Sequence, residues 1–346
     1  MTAFDASMDW TSRIRRRFRR ERIARDFARY SASRPLGFEI FSDDRSEYGD
    51  ELVKHLPPCD AINLHWIARY VDYERFLSTV PKRIPVVWTI HDTNPITGGC
   101  HYDESCGSGP QLGSGDVNNS SRQMSKRKQE LIGYVDTCRL HFVSFNRWMA
   151  SNLAQDPFPL RFPITIIPNG LDTEVFAPWN RKFAREVLGL PQDATIILFV
   201  ASQGQIRYKG FLPLIEALSG LKRQDNLLLA SVGTKPILNV GVPNVHLGQI
   251  SDDRLLAQID SAEDLFVIPS LQDNSPNTVL ESMACGVPGS LVRRNDVAAL
   301  RAGIEDFLRD PSKREEMGIN SRRVALQEYS PAVQARRYSE MHQSLV

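Results

Sequence analysis

Short, almost uninterrupted apolar runs recur along this chain, and each is followed by a stretch with helical spacing. Asp60-Ala-Ile-Asn-Leu-His65, Pro85-Val-Val-Trp-Thr-Ile-His91, Leu140-His-Phe-Val-Ser144 and Ile164-Thr-Ile-Ile-Pro168 form one series. Strands that are apolar on both faces suit a parallel sheet covered on both sides. Helices are predicted near Val71 to Val80, Ser121 to Val135 and Asn146 to Gln155. A second series follows: Ile196 to Val200, Leu227 to Val232, Val245 to Leu247 and Leu265 to Ile268, with helices near Leu212 to Leu221 and Asp252 to Ser261. Turn residues and prolines interrupt both patterns between Asn169 and Pro191, so the boundary is placed there. A chain of 346 residues can bury two cores, since single domains usually hold about 100 to 200 residues. The predicted class is α/β with two doubly wound domains.

One segment of the second series carries paired carboxylates. Asp264 to Pro288 reads as an apolar strand, a polar loop and a short helix beginning at Ser275. Ser275 is suited to cap that helix, Pro276 sits where its missing N–H costs little, and Gly286 closes the far end. Asp273 before the helix and Glu281 within it then lie near the carboxyl end of a strand, the edge where ligands collect in open α/β sheets.

Asp273 and Glu281, separated by seven residues, resemble the acidic motif of family 4 glycosyltransferases, with Asp273 in a position that is usually Glu. The resemblance extends through Trp88-Thr-Ile-His91-Asp92, Ile167-Pro-Asn-Gly-Leu-Asp172, Arg207-Tyr-Lys209-Gly210 and Met283-Ala-Cys-Gly-Val-Pro288, in the order such enzymes use. The subgroup it looks like is that of bacterial exopolysaccharide and colanic acid glycosyltransferases. The resemblance implies the GT-B architecture, two Rossmann-like domains facing a cleft. Its expected layout is a basic helix over residues 1–30, an acceptor-side domain over 31–175, a nucleotide-sugar-binding domain over 190–330 and a crossover helix over 331–346.

The family implies a retaining transfer of a hexosyl group from a nucleotide sugar to a glycan or lipid-linked acceptor, in surface polysaccharide assembly. Catalytic roles fall to His91, Asp273 and Lys209; donor contacts to Arg207, Lys209, Gly210, Asp273, Asn274, Asn277 and Glu281; and the acceptor side to His91 and Asp92. Lys209 at a helix start adds a full charge to free N–H groups and a favourable dipole, which suits a leaving diphosphate. Glu281 can accept two hydrogen bonds from a ribose diol. Each residue also has a plainer reading: Arg207 and Lys209 as solvated loop charges, Glu281 as an exposed helix charge, Asp273 as a helix-start acid and His91 as a histidine satisfied at a strand end.

No Asp-x-Asp pair occurs, so no cofactor and no metal are expected, and Lys209 with helix dipoles is assigned the cation's part. Gly98 to Cys106 holds two cysteines and His101, too few for a convincing zinc site, and the five cysteines read as structural or incidental thiols of a reducing cytoplasm. P-loop, Gly-x-Ser-x-Gly and His-Glu-x-x-His patterns are absent, which removes kinase, esterase and zinc-protease chemistry.

Nine arginines lie between Arg13 and Arg29, while net charge is only +1, so no specific nucleic-acid binding is expected. Trp10, Ile14 and Phe18 share one helical face and Ile23, Phe27 and Tyr30 fall nearly opposite, which divides the reading between a core-docked helix and a peripheral contact at the inner face of the membrane. Two departures from the family are expected to matter. Nothing before Asp60 resembles its opening strand and glycine-rich loop, so the first βαβ unit is predicted to be lacking, and Pro288 is followed at once by Gly289-Ser-Leu-Val292, where the family continues with a strand and a Gly-Gly loop. They leave open a truncated non-catalytic relative that binds a glycan or partner, or a nucleotide-sugar epimerase.

Overall fold

The structure is a computed structural model, and it describes residues 9–31, 41–49, 51–102, 115–131, 135, 139–200, 209–222, 226–234 and 240–345. The chain divides into two compact units, one formed by Met1–Ile167 with Tyr338–Val346 and the other by Pro168–Arg337.

The first unit holds a parallel sheet of β1 (Ile62–His65), β2 (Val86–Ile90), β3 (Leu140–Ser144) and β4 (Ile164–Ile166), in that spatial order. Both faces of its centre are covered, as continuous apolar strands require. Val86, Trp88, Ile90, Leu140 and Phe142 pack with Tyr73, Phe76 and Leu77 from α3 (Tyr73–Thr79) and with Met149 and Leu153 from α5 (Arg147–Gln155). On the other face Val87, Val143 and Ile167 meet Tyr338 and Met341. The last helix, α12 (Pro331–Leu345), thus begins in the second unit and contributes its residues from Tyr338 to the first.

Helix α1 (Trp10–Ser31) docks within the first unit through its arginines more than through an apolar stripe. Arg16 donates to Glu47 and lies over the Tyr48 ring, and Arg19 pairs with the buried Asp72. Phe27 meets Phe41 at 5.9 Å, whereas Trp10 and Phe18 stay exposed. The remaining helices here are the single turn α2 (Glu51–Lys54) and α4 (Gly115–Glu130). The long loop predicted from Thr93 to Ser120 is therefore shorter, because helix begins at Gly115.

The second unit holds β5 (Thr195–Val200), β6 (Leu227–Val232), β7 (Asn244–His246) and β8 (Leu265–Phe266) in the order β7-β6-β5-β8, all parallel. Ile197, Phe199 and Leu229 pack against Leu214 and Leu218 of α7 (Phe211–Ser219) and Ile304 and Phe307 of α10 (Val297–Arg309). Ile196, Leu198 and Ala230 face Ala184 of α6 (Arg181–Val187) and Ile259 and Ala262 of α8 (Asp253–Ala262). Helix α6 lies inside the segment taken as the domain boundary, where Asn180 caps it by accepting from the Phe183 N–H. The unit is completed by α9 (Asn277–Ala284) and α11 (Pro311–Glu328). After α9, residues 289–296 add no strand, so β8 is the edge of this sheet among the described residues.

A buried acid closes α8. Both carboxylate oxygens of Glu263 lack a hydrogen-bond partner, and burial together with Asp260 and Asp264 raises its pKa well above the ordinary value of 4.5. A raised carboxyl pKa means the folded state binds the proton more tightly. The stability it brings is full below the unfolded value and is lost as pH rises. Glu263→Met is expected to raise stability at alkaline pH by roughly 1–3 kcal/mol, seen as a higher melting temperature, and by much less under acid conditions. Thermal unfolding followed across pH checks this, and a variant equally destabilised at every pH would contradict it.

Candidate functional site

In the second unit the chain runs from β5 outward through β6 to β7 and then returns to the other side of β5 as β8. The chain order thus reverses between β5 and β8, and the carboxyl ends of strands at such a switch point are where α/β folds bind ligands. Lys209 lies on the loop leaving β5 and Asp273 on the loop leaving β8. Lys209 Nζ donates to Asp273 Oδ2 at 2.8 Å across this switch point, with both side chains largely shielded.

Gly210 explains how the loops come so close. Its φ of 71° lies in the left-handed region, and a Cβ there would stand 1.8 Å from the Pro269 carbonyl oxygen. Only glycine lets the β5 loop pass against the β8 loop and turn into α7. Arg207, the other basic candidate, lies outside the described residues.

Asn274 is buried beside Asp273, and Asn277 opens α9, its side-chain oxygen accepting from Asn169 at 3.3 Å. The helix starts two residues later than Ser275. Pro276 is its N-cap and no side chain caps it, so Ser275 does not perform the capping expected of it. An eight-residue helix is held here by packing, and Leu280 and Ala284 are buried. Gly286, at φ 80°, ends the turn as expected.

Glu281 projects from α9 in a half-buried position. Desolvation first, then Asp253, raises its pKa to about 7, so it changes charge near neutrality. Below it Asp260 accepts from Ser282 at 2.8 Å and is pushed to about 8, chiefly by burial.

In the first unit His91 follows β2 directly. His65, which ends β1, places Nδ1 3.0 Å from His91 Nε2, and Phe145 meets the His91 ring edge-on at 4.8 Å. Burial lowers the pKa of both histidines, and for His91 the neighbouring His65 adds to it while Asp92 opposes, which favours the neutral ring. His65 was not singled out in the sequence, where it is one more polar residue at the end of an apolar run; the parallel register His65↔Thr89 is what brings it beside His91.

Asp92 points inward. Its Oδ2 accepts from Trp66 Nε1 at 2.9 Å and contacts His101 Nδ1 at 2.5 Å, while Oδ1 accepts the Asn94 N–H at 2.9 Å. Ser42 Oγ lies 2.8 Å from the other nitrogen of His101. This buried chain spends Asp92 on holding the loop. Lys128 of α4 braces the same loop from below, donating to the carbonyls of Asn94 and Thr97, and burial lowers its pKa to about 8. Cys100 is disulfide-bonded, a correction to its reading as a free thiol, while Cys59 and Cys285 are free. Spacing alone carries no information on which cysteines meet in space.

Residues 194–317, nearly the whole second sheet with its helices, match the family described as Glycosyl transferases group 1. Among curated proteins, the D-inositol 3-phosphate glycosyltransferase of Geodermatophilus obscurus is 29% identical in a 169-residue alignment that covers 42% of this chain and 34% of that one. A second enzyme of that name, from Catenulispora acidiphila, is 25% identical over 46% of this chain and 45% of its own. The chain thus spans less than half the length of these relatives.

Among solved structures, sucrose-phosphate synthase from Thermosynechococcus elongatus superposes with a TM-score of 0.60 at 20% identity, over 76% of this chain and 68% of that one. Anabaena HepE in complex with UDP-glucose gives 0.54 at 17% identity, over 76% and 73%. The fold is the GT-B architecture of these solved structures, and the similarity to the group 1 glycosyl transferase model lies within the second unit.

Gly210→Ala is expected to destabilise the second unit by roughly 1–3 kcal/mol through backbone strain alone, and further through the contact with Pro269. Gly189 supplies a control, since its φ is 64° but a Cβ there meets nothing within 4 Å. In thermal unfolding Gly210→Ala should fall clearly below Gly189→Ala; equal melting of the two would contradict the close approach.

Proposed function

We propose that this protein is a retaining glycosyltransferase that moves a hexosyl group from a nucleotide sugar to a glycan or lipid-linked acceptor in surface polysaccharide biosynthesis. The observation that carries the reading is the Lys209–Asp273 pair spanning the switch point of the second sheet, with Glu281 on the helix that follows. A cation and a carboxylate that neutralise each other at 2.8 Å are groups a diphosphate and a sugar hydroxyl can separately recruit. In this reading Glu281 accepts both ribose hydroxyls. Lys209, Arg207, Gly210 and the N-terminus of α7 take the diphosphate. Asp273, Asn274 and Asn277 orient the sugar.

Charge builds on the diphosphate as the glycosidic bond breaks, and Lys209 with the oriented α7 N–H groups stabilises it without a metal ion. His91, neutral and held by His65, works on the acceptor side, and Asp92 supports it by fixing the loop. Names of relatives agree with the class of reaction: D-inositol 3-phosphate glycosyltransferase for the curated ones, and UDP-glucose in the HepE complex.

Among the described residues no helix is long and apolar enough to cross a membrane. The exposed Trp10, Phe18, Arg22 and Arg25 of α1 suit a cytoplasmic protein resting on the inner face of an anionic membrane. A second reading, a non-catalytic GT-B relative that binds a glycan or partner, is favoured by one feature. Among the described residues β8 is the edge strand of its sheet, and Leu291, in the segment that follows α9, is fully exposed.

Transfer of labelled sugar from a panel of nucleotide sugars to lipid-linked acceptors decides between the two. Lys209→Ala and Glu281→Ala are expected to lower kcat/KM by about a hundredfold or more. Transfer that survives both replacements would contradict the proposed site, and absence of transfer with every donor would leave the binding role. Donor affinity is expected to rise as pH is raised through about 7, where Glu281 ionises, and Glu281→Gln should flatten that profile. An unchanged profile in the Gln variant, measured by calorimetry, would remove Glu281 from the ribose.

A further inference from the structure

Trp66 combines three properties that rarely coincide. It follows β1 at the carboxyl edge of the first sheet, and 54% of its surface is exposed. Its φ is 34°, a left-handed value that a bulky residue adopts only where its surroundings enforce it. Its indole N–H is fixed by Asp92, which is gripped in turn by the buried chain through His101 to Ser42. The ring also leans on His101, with centroids 6.0 Å apart.

Trp88 lies in the core at 2% exposure, whereas Trp10, Trp148 and Trp179 are exposed as Trp66 is; among the described tryptophans Trp66 is set apart by its left-handed backbone. Here three buried polar groups and a strained backbone hold an aromatic surface outward. The cost of that arrangement is explained if the surface has a ligand, since strain and exposed aromatics concentrate at binding sites. Trp66, His91, Asp92 and Asn94 border one narrow crevice that is too small to take a sugar, so the surface on offer is the exposed indole face itself.

We propose that Trp66 is the platform of a carbohydrate acceptor subsite, its indole face stacking on the apolar face of a pyranose ring. The C–H groups on one face of a pyranose are weakly positive and pack against the negative face of an aromatic ring. With its N–H tied down, the indole loses little rotamer freedom when the sugar docks. The subsite adjoins the His65–His91 pair, since Trp66 follows His65 directly in the chain and borders the same crevice as His91. The sugar class rests on the glycosyltransferase reading; the rigid outward placement of Trp66 does not.

Protein labelled with 15N at tryptophan is titrated with the methyl pyranosides of glucose, galactose and mannose in both anomeric forms. The Trp66 indole signal is assigned by its loss in Trp66→Phe. At least one pyranoside should shift the Trp66 signal in a saturable way and leave Trp88 unmoved. Saturation-transfer measurements should find that sugar bound about tenfold more weakly by Trp66→Ala, about 1.4 kcal/mol, and within about threefold of wild type by Trp66→Phe, which keeps an aromatic face.

Retention of the Trp88 signal reports that the first unit remains folded in both variants. Failure of every pyranoside to shift Trp66, or wild-type binding by Trp66→Ala, overturns the subsite. UDP affinity, measured in parallel, should be the same in wild type and both variants. Loss of UDP binding throughout, with the pyranoside shift intact, would sink the donor reading and leave the subsite standing.

Discussion

The candidate donor site depends on a contact that no polar residue makes: the passage of Gly210 against the carbonyl of Pro269. β5 and β8 share only two register pairs, Ile197↔Leu265 and Leu198↔Phe266, extended by the Val267 N–H donating to Leu198 at 3.0 Å. So short a ladder does little by itself to hold the loops beyond it. Gly210 lets them close, and closure puts Lys209 within 2.8 Å of Asp273. A side chain at 210 would part the loops at the point where the sheet reverses direction, so the ion pair and the start of α7 both follow from one missing Cβ.

Most of the architecture was legible because burial on both faces leaves a strong mark. Val86 to Ile90 and Leu140 to Ser144 are buried at every position, and such runs have few alternatives to a parallel sheet. Errors fell where stability comes from elsewhere. Helix α6 sits among turn residues and is secured by the Asn180 cap and by buried Arg185, which donates to the Ala262 carbonyl and Asp264. The start of α9 was misplaced because packing, and not a serine cap, sets it.

The site residues were legible as a set of residue types and only partly as a geometry. Lys209, Asp273 and Glu281 could be named from the motifs that resemble a known family, yet the pairing of Lys209 with Asp273 depends on a fold-level reversal between β5 and β8 that no local pattern encodes. In the first unit the sequence pointed to His91 and Asp92 as neighbours with like roles. The structure separates them: His91 faces His65, and Asp92 turns inward to Trp66 and His101. Ser42, His101 and Trp66 lie up to 59 residues apart in sequence, and only the tertiary fold makes them one chain. That chain converts a buried acid into support for an exposed aromatic.

The second unit carries the Lys209–Asp273 pair at its switch point, and the first carries the His65–His91 pair next to the exposed Trp66. The central claim is that the β5–β8 switch point binds the nucleotide sugar. A crystal structure of the protein soaked with UDP-glucose tests it most directly. The account predicts that Lys209 Nζ leaves Asp273 for the diphosphate and that Glu281 takes both ribose hydroxyls. Nucleotide bound elsewhere, with the Lys209–Asp273 pair intact and Glu281 without a ligand, would contradict it.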